Sequence, residues 1–191
     1  MLGEAEDRRF PLHRTRARIL KVNAAGEAGA IAIYRAQLLV SPFLAPDTVA
    51  FLQHALSHER EHLARFLDAM RERNVEACPG TALWVAGGWL LGVASLAGGR
   101  RGIMACTAAI ESAVHGHLKE QADYLRSRDP ALEATLRDIM REEEEHLQAG
   151  LAGYDPSCLV ARMFTTVISA VTETLIWLAT FGDSARMKRA M

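Results

Sequence analysis

Apolar residues recur every three to four positions over long stretches of this chain, which is the spacing of one face of an α-helix. Proline and glycine divide the stretches into segments, and none shows the strict alternation of a β-strand. The pattern predicts an all-α bundle. Its six helices are expected at residues 16–40, 47–73, 81–98, 101–128, 129–150 and 157–181.

Local signals place the ends of these helices. Ser41-Pro42 is expected to stop the first helix, because a proline removes a backbone donor and restricts the residue before it. Asp47 is a predicted N-cap of the second helix, and Asp129 followed by Pro130 is a predicted cap and first turn of the fifth. Gly182 is a predicted C-cap of the sixth helix.

Two of the predicted helices are unusually apolar. Residues 81–98 carry no charge but contain four glycines and two tryptophans, whereas residues 158–181 are apolar apart from Arg162 and Glu173. Three explanations remain open for both segments: shallow contact with a membrane surface, packing in the core or between subunits, and true membrane spanning.

The length of 191 residues fits one domain. We expect a helical domain over residues 16–182, with tails at 1–15 and 183–191. The net charge of −1 argues against a nucleic-acid partner. The three cysteines form no CxxC pair, which argues against a disulfide framework or a cysteine zinc site and favours a reducing, intracellular compartment. The first twenty residues do not resemble a secretory signal or a transit peptide, so a bacterial cytoplasmic origin is expected.

The acidic and histidine residues form a repeated pattern. Two helical hairpins each supply one Glu from their first helix and a Glu-x-x-His motif from their second, so that the two motif residues share one helix face. The gap from the single Glu to the Glu of the motif is 32 residues in both hairpins. The two sets are Glu27 with Glu59 and His62, and Glu111 with Glu143 and His146. This matched spacing indicates an internal duplication.

Four carboxylates and two imidazoles are the inward-facing ligand set of di-iron and di-manganese helical bundles. Four negative charges balance two divalent cations and would repel one another in a core without metal. By analogy with such bundles, Glu59 and Glu143 are expected to bridge the metals. Glu27 with His62 would complete one metal position, and Glu111 with His146 the other. Small residues surround Glu27 and Glu111, so neighbouring helices can approach closely there.

Two other interpretations of these residues were weighed. The charged residues can simply be solvent-exposed helix faces, and this interpretation is kept for Glu61, Glu142, Glu144 and Glu145. The segment His58-Glu59-Arg60-Glu61-His62 also matches the H-E-x-x-H pattern of zinc proteases. That match leaves four of the six repeated ligands unexplained, so His58 is interpreted as a surface residue or a neighbour of the metal ligands.

Several strings of the sequence resemble the demethoxyubiquinone hydroxylases, which are ferritin-like di-iron monooxygenases. The strings are residues 23–30, 33–37, 58–66, 104–111 and 141–150, and the resemblance extends from about Arg16 to Phe181. It implies a ferritin-like four-helix bundle with two additional apolar helices. It also implies O2-dependent hydroxylation of a polyprenyl benzoquinone in ubiquinone biosynthesis, at a centre of two Fe ions.

The resemblance implies partners as well. The protein would attach peripherally to the cytoplasmic face of the bacterial inner membrane and act on a hydrophobic quinone. Electrons would come from an external, NADH-derived donor, because the chain has no glycine-rich dinucleotide loop. A lipid-binding accessory protein and assembly into a homo-oligomer are further expectations.

The chain departs from the family at four positions, one of which is Ala24, where the family has a basic or histidine residue. Asn23 replaces an Asp, Ser112 replaces a Glu and Leu118 replaces a Tyr. Asn23 can still hydrogen-bond a ligand histidine. Together with Tyr34 and His117, it is a candidate for substrate contact or for support of the ligands. The departures leave open a related lipid aromatic as substrate.

Other functions remain as alternatives. A ferritin-like ferroxidase would hold the same two irons, although ferritins have polar outer helix faces. A rubrerythrin-like peroxidase usually carries a four-cysteine iron domain, which this sequence does not contain. A structural bundle without metal is the third alternative.

Overall fold

The computed structural model describes residues 12–155, 157 and 159–179. These residues form six α-helices, with 3-10 turns at Pro46–Thr48 and Leu96–Gly98, and the described part of the chain contains no strand. The all-α prediction is therefore confirmed. The helices are α1 (Leu12–Leu44), α2 (Val49–Glu72), α3 (Thr81–Ser95), α4 (Gly99–Leu125), α5 (Pro130–Gly153) and α6 (Leu159–Ala179).

Helices α1, α2, α4 and α5 form a four-helix bundle. Helix α3 packs along α1, and α6 packs along α4. A shift of 84 positions, which maps Glu59 onto Glu143, also maps α3 onto residues 165–179 within α6. The duplication therefore includes all three helices of each half, and the two apolar helices occupy equivalent places in the fold.

Two of the three buried apolar clusters in the described part of the chain lie at different heights of the bundle, and a third joins α1, α4 and α6 around Cys106. One of the first two contains Leu20, Phe66, Leu118 and Leu136, and the other contains Leu52 and Ile103 among its members. On each of the four bundle helices, the predicted metal ligands lie between the residues that belong to these two clusters. Apolar packing above and below thus encloses a layer of buried charged side chains.

The predicted boundary at Ser41-Pro42 is wrong, because α1 continues to Leu44 with Pro42 inside it. The helix nevertheless continues through its last turn, with hydrogen bonds on both sides of the proline. The Ser41 hydroxyl donates to the Gln37 carbonyl over 2.7 Å, and the Ala45 amide donates to the Ser41 carbonyl over 2.9 Å. Helix α1 also begins at Leu12, four residues before the predicted start.

The two aspartates predicted as N-caps differ in outcome. Asp129 caps α5, since its Oδ1 accepts from the Leu132 amide over 3.1 Å and it also pairs with Arg16 and Arg73. Asp47 does not cap α2. It lies inside a 3-10 turn, and its carboxylate pairs with Arg100 at 2.6 Å. Phe181 and Gly182, the predicted end of the sixth helix, lie outside the described residues.

Small residues allow close helix approach beside both single ligand glutamates. A Cβ atom added to Gly88 on α3 would lie 2.2 Å from the carbonyl oxygen of Gly29, two positions after Glu27. A Cβ atom on Gly150 of α5 would lie 2.7 Å from the amide nitrogen of Ala108, three positions before Glu111. The expected close approach is confirmed in both halves, although its partner is α3 in one half and α5 in the other.

Replacing Gly88 is expected to separate α3 from α1. Gly88→Ala places a methyl group against rigid backbone and should lower the free energy of unfolding by about 1–3 kcal/mol. The matched control is Gly87→Ala, where nothing lies within 4 Å of the added Cβ. That change should be neutral or stabilise by about 0.5–1 kcal/mol. Urea denaturation of both metal-free variants measures the difference, and equal stabilities would contradict the close contact.

Large apolar side chains are exposed along α3 and α6. Leu83 is 77% exposed and Leu90 66%, and on α6 Met163 and Val167 are both 61% exposed. Among the residues of α3, only Gly88, Gly92 and Ser95 are buried. Packing in the core therefore does not explain the apolar character of α3, and the outward face of this helix is free to contact a lipid surface or another protein.

Candidate metal centre

The structure brings all six repeated residues together. Glu27 comes from α1, Glu59 and His62 from α2, Glu111 from α4, and Glu143 and His146 from α5. Each side chain is at least 95% buried. The three-residue spacing of each Glu-x-x-His motif places its two side chains on the inner face of the helix.

The six residues form two overlapping groups that can hold a metal ion. One group contains Glu27 with His62, and the other contains Glu111 with His146. Glu59 and Glu143 belong to both groups, and within each group the candidate ligand atoms lie within 4.8 Å of one another. Two adjacent ions bridged by the shared carboxylates require this arrangement. The bridging roles themselves stay a prediction.

The pKa values of the buried carboxyl groups are shifted in opposite directions. Burial, followed by the charges of neighbouring glutamates, raises the pKa of Glu27 and of Glu111 well above the usual range. Burial would also raise the pKa of Glu143, but the neighbouring imidazoles of His146 and His62 lower it to about 2. Without metal, protons therefore neutralise part of the carboxylate charge.

Both motif histidines face carboxylates. Burial lowers the pKa of His146, but the neighbouring carboxylates of Glu143 and Glu59 outweigh this and raise it to about 9. The pKa of His62 is also raised, because the neighbouring carboxylates outweigh the effect of burial. The Tyr34 hydroxyl donates to Glu111 Oε1 over 2.8 Å, so this residue supports a ligand glutamate.

The unpaired atoms of this cluster fit a bound cation. Glu59 Oε1 and His62 Nδ1 are buried without a hydrogen bond. His62 Nδ1 does lie 3.0 Å from Glu143 Oε1, but the angles of this contact do not make it a hydrogen bond. Buried polar atoms without partners are costly unless something satisfies them. Two divalent cations would use these atoms and neutralise the four carboxylates, so the residues present fit a two-metal centre.

The geometry argues against the zinc protease alternative. His58 Nδ1 lies 3.2 Å from His146 Nε2, whereas His62 Nε2 donates to Glu142 Oε2 over 2.8 Å. The two imidazoles of the H-E-x-x-H segment therefore face different partners and do not converge on one ion. His58 contacts a predicted metal ligand, in agreement with the prediction for this residue.

Glu142 is the clearest error among the residues interpreted as exposed charges. Its carboxylate accepts from His62 Nε2 and also from Arg65 over 3.0 Å, and its side chain is 30% exposed. A partner on the second ring nitrogen fixes the orientation of a ligating histidine. Glu61 and Glu145 are exposed as predicted, and Glu144 is half-buried and pairs with His115.

A cavity of about 240 Å³ opens from the carboxylate cluster. Glu27, Glu59, Glu111 and Glu143 all contribute to its wall. The rest of its lining is mostly apolar and comes largely from α1, α3, α4 and α6, including Leu91 and Val171. The site can therefore hold an apolar molecule next to the predicted metal ligands.

Two of the predicted substrate-contact residues, Asn23 and His117, line this cavity. The prediction that Asn23 hydrogen-bonds a ligand histidine is wrong, because its Nδ2 donates to Gln121 Oε1 over 2.7 Å. His117 Nε2 donates to Glu173 Oε2 over 3.0 Å, which explains the acidic residue on the apolar helix α6. Sequence reasoning missed Gln121 and the role of Glu173, since neither belongs to a spacing pattern.

Metal affinity is expected to fall steeply with decreasing pH. Glu27 and Glu111 have raised pKa values without metal, and so do His62 and His146, so binding must displace protons from these groups. Each displaced proton weakens apparent affinity about tenfold per pH unit below the pKa of its group. Competition with a chelator between pH 6 and 8, corrected for the titration of the chelator, measures this slope. A metal affinity that does not change between pH 6 and 8 would contradict the prediction that the buried ligands are protonated without metal.

Comparisons with known proteins agree with this geometry. The family model described as ubiquinone biosynthesis protein COQ7 matches residues 14–179. A protein of Rhodospirillum rubrum named 3-demethoxyubiquinol 3-hydroxylase is 35% identical over 85% of this chain and 76% of its own length. A Dictyostelium discoideum protein named NADPH-dependent 3-demethoxyubiquinone 3-hydroxylase, mitochondrial, is 29% identical over the same shares of both chains. A Saccharomyces cerevisiae protein named 5-demethoxyubiquinone hydroxylase, mitochondrial, is 27% identical, again over 85% and 76%.

Proposed function

Because the chain belongs to the COQ7 family of ubiquinone biosynthesis proteins, we propose that it is a di-iron monooxygenase that hydroxylates the ring of demethoxyubiquinone. The observation that carries the proposal is the apolar cavity that ends on the buried carboxylate cluster. A polyprenyl quinone needs an apolar binding site, and O2-dependent hydroxylation needs a metal pair beside it.

The metal ions are proposed to be two irons, held by the six buried ligands. Mixed carboxylate and imidazole donors suit iron, and the absence of cysteine among these ligands disfavours softer metals. When bound, the iron pair supplies O2 activation. One oxygen atom enters the quinone ring and the other leaves as water, at the expense of two electrons and two protons.

The residues around the irons orient both the ligands and the substrate. Glu142 holds the His62 ring, and the Tyr34 hydroxyl holds Glu111. On the cavity wall, Asn23, His117 and Gln121 supply polar groups that can hydrogen-bond the oxygen atoms of a quinone ring. The apolar lining excludes water from the reacting ring and accommodates the beginning of the polyprenyl chain.

Peripheral membrane attachment is proposed from the exposed apolar faces of α3 and α6. By length and composition, the helical run Thr81–Leu125 can cross a membrane, with a mean hydropathy of 1.5 in its most apolar window. Its second half is α4, however, which carries Glu111 and His117 in the bundle. Shallow contact therefore fits better than spanning, and the cavity lining contributed by both helices supports substrate entry from the lipid side. In a bacterium, the attachment would be to the cytoplasmic face of the inner membrane.

The electron donor and the partners extend this proposal. The Dictyostelium discoideum relative carries the name NADPH-dependent, which supports an external reductant derived from a reduced nicotinamide. A lipid-binding accessory protein or a second copy of the chain can also use the apolar faces of α3 and α6. Ferritin-like iron storage is less consistent with this surface, because ferritins have polar outer faces.

Quinone profiling of cells that lack the protein tests the proposed substrate. Demethoxyubiquinone should accumulate and ubiquinone should disappear, and the wild-type gene should restore the normal profile. An unchanged profile, together with two irons per purified chain, would indicate action on another lipid aromatic. Elution as a 24-subunit shell would instead favour ferroxidation.

A further inference from the structure

Three histidines form a continuous column from the surface of α2 to the predicted metal centre. His54 is exposed, His58 is half-buried and His146 is buried. The ring centroids of His54 and His58 are 4.1 Å apart, and those of His58 and His146 are 5.2 Å apart with nearly parallel planes.

The column has the chemistry of a transition-metal site. His54 and His58 are four residues apart on one helix face, a spacing at which two imidazoles can bind the same divalent ion. One ring nitrogen from each of His54, His58 and His146 lies within 4.8 Å of the others. Neutral imidazoles are good ligands for divalent iron, and water can complete the coordination of an ion near the surface.

His146 connects this column with the buried carboxylates. Its Nε2 faces His58, whereas its Nδ1 lies 3.2 Å from Glu143 Oε2 and 3.4 Å from Glu59 Oε1. An ion held by the three histidines is therefore one imidazole ring away from the proposed iron positions. Four carboxylates behind that ring attract a cation inward.

The equivalent positions in the other half of the duplication are different. The 84-residue shift maps His54 onto Asp138 and His58 onto Glu142. Glu142 pairs with Arg65, so a positive charge already occupies that side of the centre. The histidine column therefore exists in one half alone and is not required by the symmetry of the ligand set.

We propose that His54 and His58, with the outward nitrogen of His146, form a metal-capture site through which divalent iron enters the carboxylate cluster. This inference rests on the proposed di-iron centre. The capture site raises the local concentration of iron at the surface end of the column, and the carboxylates hold the ions afterwards. His54 and His58 thus govern the rate of loading and leave the final occupancy unchanged.

Anaerobic loading of the metal-free protein with Fe²⁺ tests the capture site. Samples are quenched with a strong chelator at intervals, and the chelator-resistant iron is counted per chain. The double variant His54→Gln/His58→Gln should load at least about tenfold more slowly at low micromolar Fe²⁺, since the loss of neighbouring groups typically weakens metal sites by this factor or more. Its rate should increase linearly with Fe²⁺ concentration, whereas the wild-type rate should saturate.

The matched control is His13→Gln, which removes an exposed histidine at the start of α1, outside the column. It should load at the wild-type rate. Equal rates for the double variant and the wild type would overturn the capture site, and so would a final occupancy of the double variant below that of the wild type. A wild-type protein that retains no iron would instead refute the proposed di-iron function. The two failures are therefore distinguishable.

Discussion

Glu27→Ala is expected to reduce chelator-resistant iron from two ions per chain to less than one and to abolish hydroxylation. Glu27 is 5% exposed, and it supplies one of the carboxylates of the first metal group. Its loss removes both a ligand and a quarter of the carboxylate charge that balances two divalent ions. His146→Ala should have the same effect through the second group, because it deletes the imidazole of that group.

The stability of the metal-free variants separates lost ligation from misfolding. Glu27 is a buried carboxyl group whose pKa is raised by burial and by its acidic neighbours, so it opposes folding when no metal is present. Metal-free Glu27→Ala should accordingly be no less stable to urea than the metal-free wild type. The matched control is Glu145→Ala, which removes an exposed carboxylate on α5 and should retain both iron content and activity. Two irons per chain in Glu27→Ala would disprove the ligand assignment.

The ligand set could be predicted from the sequence because it depends on spacing along helices. Two matched gaps of 32 residues and two Glu-x-x-His motifs require only helical periodicity to place six side chains on inner faces. The same periodicity predicted α3, but not its exposure. Whether an apolar helix is buried depends on which other elements pack against it. The sequence of the helix alone does not specify those elements.

The residues that support the ligands could not be predicted for a related reason. Glu142 and Glu145 stand in the same run of acids, and only the packing of α5 against α2 decides which of them reaches His62. Asn23 finds Gln121 on another helix, 98 positions away. Such contacts depend on the relative rotation of two helices, which the sequence of neither helix specifies. The N-cap prediction for Asp47 fails for the same reason, since its carboxylate pairs with Arg100 on α4.

Gly26→Leu is expected to stop hydroxylation while leaving the irons in place. Gly26 lines the cavity beside Glu27, and nothing lies within 4 Å of a Cβ atom added there. A leucine at this position therefore has room for its Cβ atom and adds its side chain at the wall of the cavity of about 240 Å³. It would occupy the space proposed for the quinone ring, and a misplaced reacting group typically costs about 100-fold in rate.

The measurements are iron content and kcat/KM with a short-chain demethoxyubiquinone. The matched control is Gly116→Leu on α4, where an added Cβ atom also meets nothing within 4 Å, and where the residue is exposed and does not line the cavity. Both changes introduce leucine into a helix, so helix propensity is equal in the pair. Gly116→Leu should keep wild-type activity. Full activity in Gly26→Leu would mean that the quinone does not reach the metal centre through this cavity.

A second substitution keeps the test decisive if Gly26→Leu disturbs its neighbour Glu27 and loses iron. Val171 lines the same cavity from α6, well separated in sequence from every metal ligand. Val171→Trp fills the side of the cavity next to the exposed apolar face. Activity should fall and KM for a long-chain quinone should rise more than for a short-chain analogue, because the proposed path of the polyprenyl tail toward the lipid passes this position. Equal effects on both substrates would place the tail elsewhere and would contradict the proposed membrane contact of α3 and α6.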